Sequence, residues 1–278
     1  MKPPWLKVKP PGEEEYLHLK KSLAGLPTVC ERARCPNLGE CWSHGAVTFL
    51  ILGDACTRNC HFCAVPTLKQ SLPPDPDEPL KLAETAEKLN LEYAVITSVD
   101  RDDLPDGGAS HYARCIQALK SRGIKVEALI PDFQGDIQAL ARVVEAGPEI
   151  VAHNLETTRR LHPVVRDIRA SYTRSLQVLR EAGEMGATTK SSLMLGLGET
   201  KAEVLEAMED LHSVGVSILT LGQYLQPSKD KLAVSEYIPP WKFEDYRTLA
   251  LEMGFREVVA GPLVRSSYQV WEYRTQDS

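Results

Sequence analysis

From Val47 onward the chain repeats one pattern: a short apolar run, then a longer stretch in which apolar side chains recur every three or four positions. The short runs are "VTFLILGD", "EYAVITSVD", "KVEALIPD", "EIVAHNLE", "TTKSSLMLG" and "SILTLGQYL". They have the length and the aliphatic, β-branched content of strands. Between them lie "EPLKLAETAEKLN", "HYARCIQALKSRG", "DIQALARVVEAG", "YTRSLQVLREAGEMG" and "KAEVLEAMEDLHSVG", each with the spacing of a single helix face. Four of these five close on glycine, the usual residue just past a helix end. A last helix is predicted over "PWKFEDYRTLALEMG", followed by a strand-like run, "FREVVAGPLV", that leads into "RSSYQVWEYR".

Strict alternation of strand and helix predicts an α/β fold with a parallel sheet, helices on its outer face and right-handed crossovers. A doubly wound open sheet would carry an early GxGxxG turn, and none is present. The expected architecture is therefore a partial TIM barrel of about six βα units, incompletely closed. Three segments follow: an irregular, Pro- and charge-rich extension over 1–46, the barrel over 47–254, and a C-terminal segment over 255–278. Both extensions are expected to lie over the open mouth. In such folds chemistry sits at the carboxyl ends of the strands. Here those ends read "GDACTRNC", "TSVDRDDLPDGG", "IPDFQG", "HNLETT", "LGLGET" and "GQYLQPS".

The composition narrows the function. The 278 residues are 43% hydrophobic and 25% charged, with a net charge of -6. That is enough chain for one substantial core, and it shows no basic face of the kind a nucleic-acid partner requires. No apolar run reaches the length of a membrane span, and "MKPPWLKVKPPGEEEYLHLKKSLAG" lacks the apolar core of a secretory signal. The expectation is a cytoplasmic protein with neither a membrane nor a nucleic-acid partner. Disulfides are rare in that compartment, so grouped cysteines there point to metal binding or redox chemistry.

Six of the seven cysteines fall into two groups of three: Cys30, Cys35 and Cys41 in "CERARCPNLGEC", and Cys56, Cys60 and Cys63 in "CTRNCHFC". Structural zinc prefers four ligands arranged in CxxC pairs, and only Cys60 and Cys63 form such a pair. A four-iron cube held by three thiolates leaves one iron open to another ligand. A zinc-stabilised binding module remains the alternative from another class, separable by metal analysis.

The CxxxCxxC loop after the first strand, with Phe62 before its last cysteine, resembles the motif of the radical S-adenosylmethionine superfamily. That resemblance implies a 4Fe–4S cluster on Cys56, Cys60 and Cys63. Its open iron would hold S-adenosyl-L-methionine and reduce it to methionine and a 5′-deoxyadenosyl radical. The spacing of Cys30, Cys35 and Cys41, with "CPN" and "ECW", is similar to that of the lipoyl synthases, as are "TSVDRDDLPDGGA", "HNLET", "KSSLMLGLGE" and the terminal "GPLVRSSYQV". It implies a second, auxiliary 4Fe–4S cluster on Cys30, Cys35, Cys41 and the Ser267 oxygen, consumed as sulfur donor. The activity implied is insertion of two sulfurs at C6 and C8 of a protein-bound octanoyl chain. The alternative within the superfamily is a biotin-synthase-like sulfur-inserting enzyme. Implied partners are an octanoylated lipoyl carrier domain (an E2 subunit or glycine cleavage H protein), an electron donor such as ferredoxin or flavodoxin, and a cluster-repair protein.

Other residues carry weaker expectations. Asn154 and Glu156, two apart on a strand and so on one face, are candidates for binding the cofactor's ribose or methionine part. By resemblance to the superfamily, Thr97 and Ser98, at the end of the second strand, occupy the place that holds its amino group, and Gln223 with Tyr224 are candidates for the nucleoside. By resemblance, "LGLGE" passes near the adenine. Arg265 and Tyr268 flank the adjacent serines. His61 reads as a spacer within its loop, His44 and His153 as ordinary polar or core histidines, and Cys115 as a small hydrophobe. The basic residues of "RRLHPVVRDIR" read as a solvated face, or as a contact for an acidic carrier domain.

Overall fold

The computed structural model describes residues 2–8, 13–23, 25–44, 46–69 and 72–267. Three short helices precede the barrel: α1 (Glu13–Ser22), α2 (Val29–Arg32) and α3 (Leu38–Ser43). The repeat then runs β1 (Thr48–Ile51), α4 (Glu78–Lys88), β2 (Tyr93–Ser98), α5 (Ala109–Lys120), β3 (Lys125–Leu129), α6 (Ile137–Glu145) and β4 (Ile150–Ala152). It continues through α7 (His162–Val165), α8 (Tyr172–Glu184), β5 (Thr189–Leu195), α9 (Lys201–Ser213), β6 (Ile218–Gln223), α10 (Pro240–Met253) and β7 (Glu257–Gly261). Several helices start at a side-chain cap. Asp136 and Ser171 accept from the first-turn amides of α6 and α8, and Thr200 with Glu203 forms a capping box on α9.

All neighbouring strands pair in parallel, in the order β1-β2-β3-β4-β5-β6-β7. The sheet therefore has one strand more than the six repeats, because "FREVVAGPLV" pairs with β6 rather than leaving the barrel. Each strand sends alternate residues to opposite faces. On β1, Phe49 and Ile51 pack into the helix-covered core, whereas Thr48 and Leu50 face a cavity inside the barrel. The free edge of β1 is covered by the N-terminal extension. The Leu50 N–H donates to the Pro27 carbonyl (2.9 Å), and Thr28 bridges Phe49 antiparallel. This satisfies edge groups that would otherwise template another chain. Among the described residues, no helix is long and apolar enough to cross a membrane.

Deep in the barrel, Lys190 of β5 sits 3.0 Å from both carboxylate oxygens of Glu127 on β3, and the Tyr93 hydroxyl donates to the same group at 3.1 Å. The side chains of Lys190 and Glu127 are 1% and 0% exposed. Breaking a buried pair strands one charge, whereas replacing both partners by apolar groups is far milder. Lys190→Met alone should lower stability by about 3–5 kcal/mol, and Lys190→Met with Glu127→Leu should recover most of that loss. Denaturant melts of the three chains check this.

Candidate active site

The strand ends open into one cavity of about 490 Å³. Cys56, Cys60 and Cys63 border it, and so do Cys30, Cys35 and Ser267. Cys41 is buried within electrostatic reach of Cys30 and Cys35. None of the seven cysteines is in a disulfide.

The second triplet owes its position to the exit of β1. Leu52 adopts φ +67°, a left-handed conformation that costs a non-glycine residue roughly 1–2 kcal/mol. It is held from both sides. Its N–H donates to Glu78 Oε2 (2.9 Å), and its carbonyl accepts from Arg101 (3.0 Å). His111 Nε2 donates to the same Glu78 oxygen (2.6 Å), because Arg114 occupies Nδ1. Gly108 makes room for the Leu52 side chain: a Cβ there would lie 2.4 Å from Leu52 Cδ1. The "DRDDLPDGGA" stretch thus supplies the brace that turns the chain into the cysteine loop.

Within the loop each thiol receives a backbone N–H, from Arg58 to Cys56 (3.3 Å), Asp167 to Cys60 (3.3 Å) and Val65 to Cys63 (3.5 Å). His61 faces away. Its Nδ1 bonds the Val164 carbonyl (2.7 Å), its N–H donates to Val165 and its carbonyl accepts from Leu232. It fastens the loop to α7, consistent with a spacer. Burial pushes the thiols up, Cys30 and Cys63 to about 11 and Cys56 to about 12, with neighbouring thiols adding to the rise. Such groups ionise only beside a strong positive centre. A single zinc would bring its thiolates within about 4.6 Å of one another, twice the Zn–S distance. Among the described residues, the only group of three ligand atoms within 4.8 Å of one another is Glu78, His111 and Cys115, already explained as the Leu52 brace. Neither triplet closes to that spacing among the described residues.

Arg58 anchors the loop from inside. Its side chain is fully buried among three carboxylates. It forms a bidentate pair with Asp102 (2.8 Å twice), a bond to Asp132 (2.6 Å) and an ion pair with Asp100 (3.4 Å). Burial alone would raise Asp132, but Arg58 outweighs it and brings the carboxyl to about 2. Asp100 is raised by burial despite Arg58 and Arg166.

The first triplet is fixed to the C-terminal segment. Asn37, from "CPN", donates to the Leu263 carbonyl (2.6 Å), and Arg34 to that of Pro227 (3.2 Å). Gly222 of β6 lets this segment lie flat, since a Cβ there would meet the Val264 oxygen at 2.1 Å. Arg265 is half-buried near Cys35. Ser267 accepts a hydrogen bond from Thr48 (2.9 Å). Tyr268 lies outside the described residues.

Thr97 and Ser98 close β2 and border the cavity. Asn154 and Glu156 border it too, although not as strand neighbours. β4 ends at Ala152, and Glu156 takes φ +71° in the following loop, where it bridges Leu193. Asn154 Nδ2 donates to Glu156 (3.2 Å), and Asn154 Oδ1 is buried without a hydrogen-bond partner. Gln223 and Tyr224 also border the cavity, and Gln223 has a structural role there as well. Its amide bonds the carbonyls of Leu195, Tyr224 and Glu236 and accepts from Ile238, so it staples the sheet end. The Tyr224 hydroxyl is likewise engaged by Leu232. The "LGLGE" amides of Gly196 and Leu197 donate to Glu199 of the same stretch. His153 is a buried structural histidine bonded to Ile130 and Ser175. "RRLHPVVRDIR" divides: Arg159 and Arg160 are exposed partners of acidic residues, whereas Arg166 is buried in the cavity wall near Cys60 and Glu156, its Nε unpartnered. Arg58 and Arg166 were not legible as site residues. The one hint was an arginine inside the cysteine loop.

A parallel, open α/β barrel with a three-cysteine loop after β1 defines a radical S-adenosylmethionine enzyme, and the family model "Radical SAM superfamily" matches residues 50–211. The fold resembles methylornithine synthase (TM-score 0.55, 14% identity, 95% of this chain and 88% of that one). It also resembles SuiB of Streptococcus suis (TM-score 0.61, 10% identity, 81% and 52%). Curated relatives are closer: lipoyl synthase of Thermus thermophilus is 55% identical over 96% of this chain and 85% of its own. That of Pyrobaculum calidifontis is 56% identical over 97% and 95%, and a mitochondrial one of Picea sitchensis is 50% identical over 98% and 74%. The chain belongs to the lipoyl synthase family.

Arg58→Met should cost about 3–5 kcal/mol at neutral pH by stranding buried carboxylates. The lowered Asp132 contributes stability that is full above its ordinary value of 3.8 and is lost as pH falls toward 2. The deficit of the variant against the parent chain should therefore shrink on acidification, as pH-dependent urea melts will read.

Proposed function

We infer that this protein inserts two sulfur atoms, at C6 and C8, into an octanoyl chain carried on a protein, producing the lipoyl group. The observation that carries the reading is that Cys56, Cys60, Cys63, Cys30, Cys35 and Ser267 border one cavity, with Cys41 close to Cys30 and Cys35. On this reading Cys56, Cys60 and Cys63 hold the 4Fe–4S cluster that binds S-adenosyl-L-methionine. Cys30, Cys35, Cys41 and Ser267 hold a second one that donates sulfur. When bound, the first cluster supplies the electron that cleaves the sulfonium and lets hydrogen be taken from an unactivated C–H bond, which acid–base side chains cannot do.

The chain's own residues bind and exclude. Arg166 offers a buried cation with a free Nε, complementary to a carboxylate, and Asn154 Oδ1 offers an unpartnered acceptor. Glu156, Thr97 and Ser98 surround the same space. Leu50, Val65, Leu225 and Val264 give the cavity apolar wall for a hydrocarbon chain. A free alkyl radical reacts with whatever it meets, so a water-poor wall keeps its partner to the intended sulfur. An octanoylated carrier domain presents the chain, and a small electron-transfer protein is the reductant.

An anaerobic single turnover with an octanoyl-lysine peptide, reductant and S-adenosylmethionine should give 5′-deoxyadenosine and a product heavier by two sulfurs. Deoxyadenosine with no sulfur gain would remove the sulfur-insertion reading. The loaded protein should carry about eight irons. Cys35→Ala should retain about four irons and deoxyadenosine formation but insert no sulfur. Gly222→Ala, which lifts the C-terminal segment, should weaken the second cluster and spare the first; iron analysis with electron paramagnetic resonance reads both.

A further inference from the structure

We propose that Thr48 is a positioning residue that decides which of two adjacent serines faces the first cysteine triplet, and holds it there. The inference rests on the reading that Ser267 binds iron of the second cluster. Ser266 and Ser267 both border the cavity and are chemically identical. They lie in a turn beyond β7, without strand pairing to aim their side chains. A serine side chain has three staggered positions of similar energy, so an unrestrained hydroxyl samples all of them.

Thr48 breaks that degeneracy. Its hydroxyl donates to Ser267 Oγ at 2.9 Å, the one side-chain hydrogen bond of Ser267 among the described residues. Ser266 has no side-chain hydrogen bond there. Thr48 is itself rigid: it opens β1, pairs with Val95 and is 5% exposed, and its β-branched side chain is stiff at χ1. Its backbone also lies close enough to the Cys30 thiol to act on it electrostatically. One residue of β1 thus stands beside a thiol of the first triplet and bonds the serine 219 positions away in sequence. The Thr48 hydroxyl acts as the donor, which leaves lone pairs on the serine oxygen for iron.

The test compares full-length chains reconstituted anaerobically with Mössbauer-active iron. Thr48→Val should remove the signature of the oxygen-ligated iron and speed chelator extraction of that iron by about tenfold, the order expected for loss of one hydrogen bond to a charged group. Thr48→Ser should restore both. Deoxyadenosine formation, which reports the first cluster and the folded barrel, should stay within twofold of the parent (roughly 0.4 kcal/mol). In a Ser267→Ala background, Thr48→Val should add nothing. If Ser267→Ala changes the spectrum while Thr48→Val does not, Thr48 has no positioning role and the serine assignment stands. If Ser267→Ala leaves the spectrum unchanged, the serine assignment falls and this proposal with it. Should Thr48→Val fail to load either cluster, Thr48→Ala and Thr48→Ser decide: equal extraction rates for those two overturn the proposal.

Discussion

The cavity depends on one buried cation. Arg58 stands inside the second cysteine loop, and its guanidinium ties that loop to Asp100 and Asp102 beyond β2 and to Asp132 beyond β3. Three strand ends are thereby held to a common point. A guanidinium suits this role because its fork of donors bonds several carboxylates at once and keeps its charge when buried. Arg169 and Arg174 extend the network outward through Asp102, Asp167 and Asp132, so the excess of buried negative charge is shared.

A second constraint closes the mouth. An open barrel has two exposed strand edges and an accessible interior. The N-terminal extension covers the β1 edge through Pro27 and Thr28, and Asn37 ties it to Leu263 in the C-terminal segment. The close passage of Val264 over Gly222 presses that segment onto β6. The two extensions therefore form one lid, and the residues that fasten it lie beside the cysteines it carries. Strain sits at the same place. Leu52 and Glu156 adopt left-handed conformations at the rim, held there by hydrogen bonds from elements distant in sequence.

Within the barrel the predicted strands and helices are observed, because each βα repeat writes its own periodicity: apolar blocks for a strand buried on both faces, a three-to-four spacing for a helix covering it. The extension expected to be irregular instead holds α1, α2 and α3, and the short α7 was not predicted. The grouping of six cysteines, and the chemistry a group of three implies, were equally legible, since ligand spacing within a loop is a local property. The final strand was the ambiguous element. Nothing local separates a last barrel strand from an extended tail, and only the open edge of β6 makes "EVVAG" a strand.

Tertiary structure decided which polar residues face the cavity. Gln223 borders the cavity as its strand end suggested, and the chain that returns past Glu236 and Ile238 also engages its amide. Asn154 and Glu156 reach the cavity through a loop conformation that strand alternation does not describe. Arg166 reads as one more basic residue of a solvated stretch until the fold buries it beside Cys60. Thr48 reads as the start of a strand until Ser267 arrives from the other end of the chain. Sequence by itself determined the repeating units and the donor atoms, because both follow from short-range pattern. Which donors share a space, and what holds them there, was settled by burial and hydrogen bonding between segments far apart in the chain.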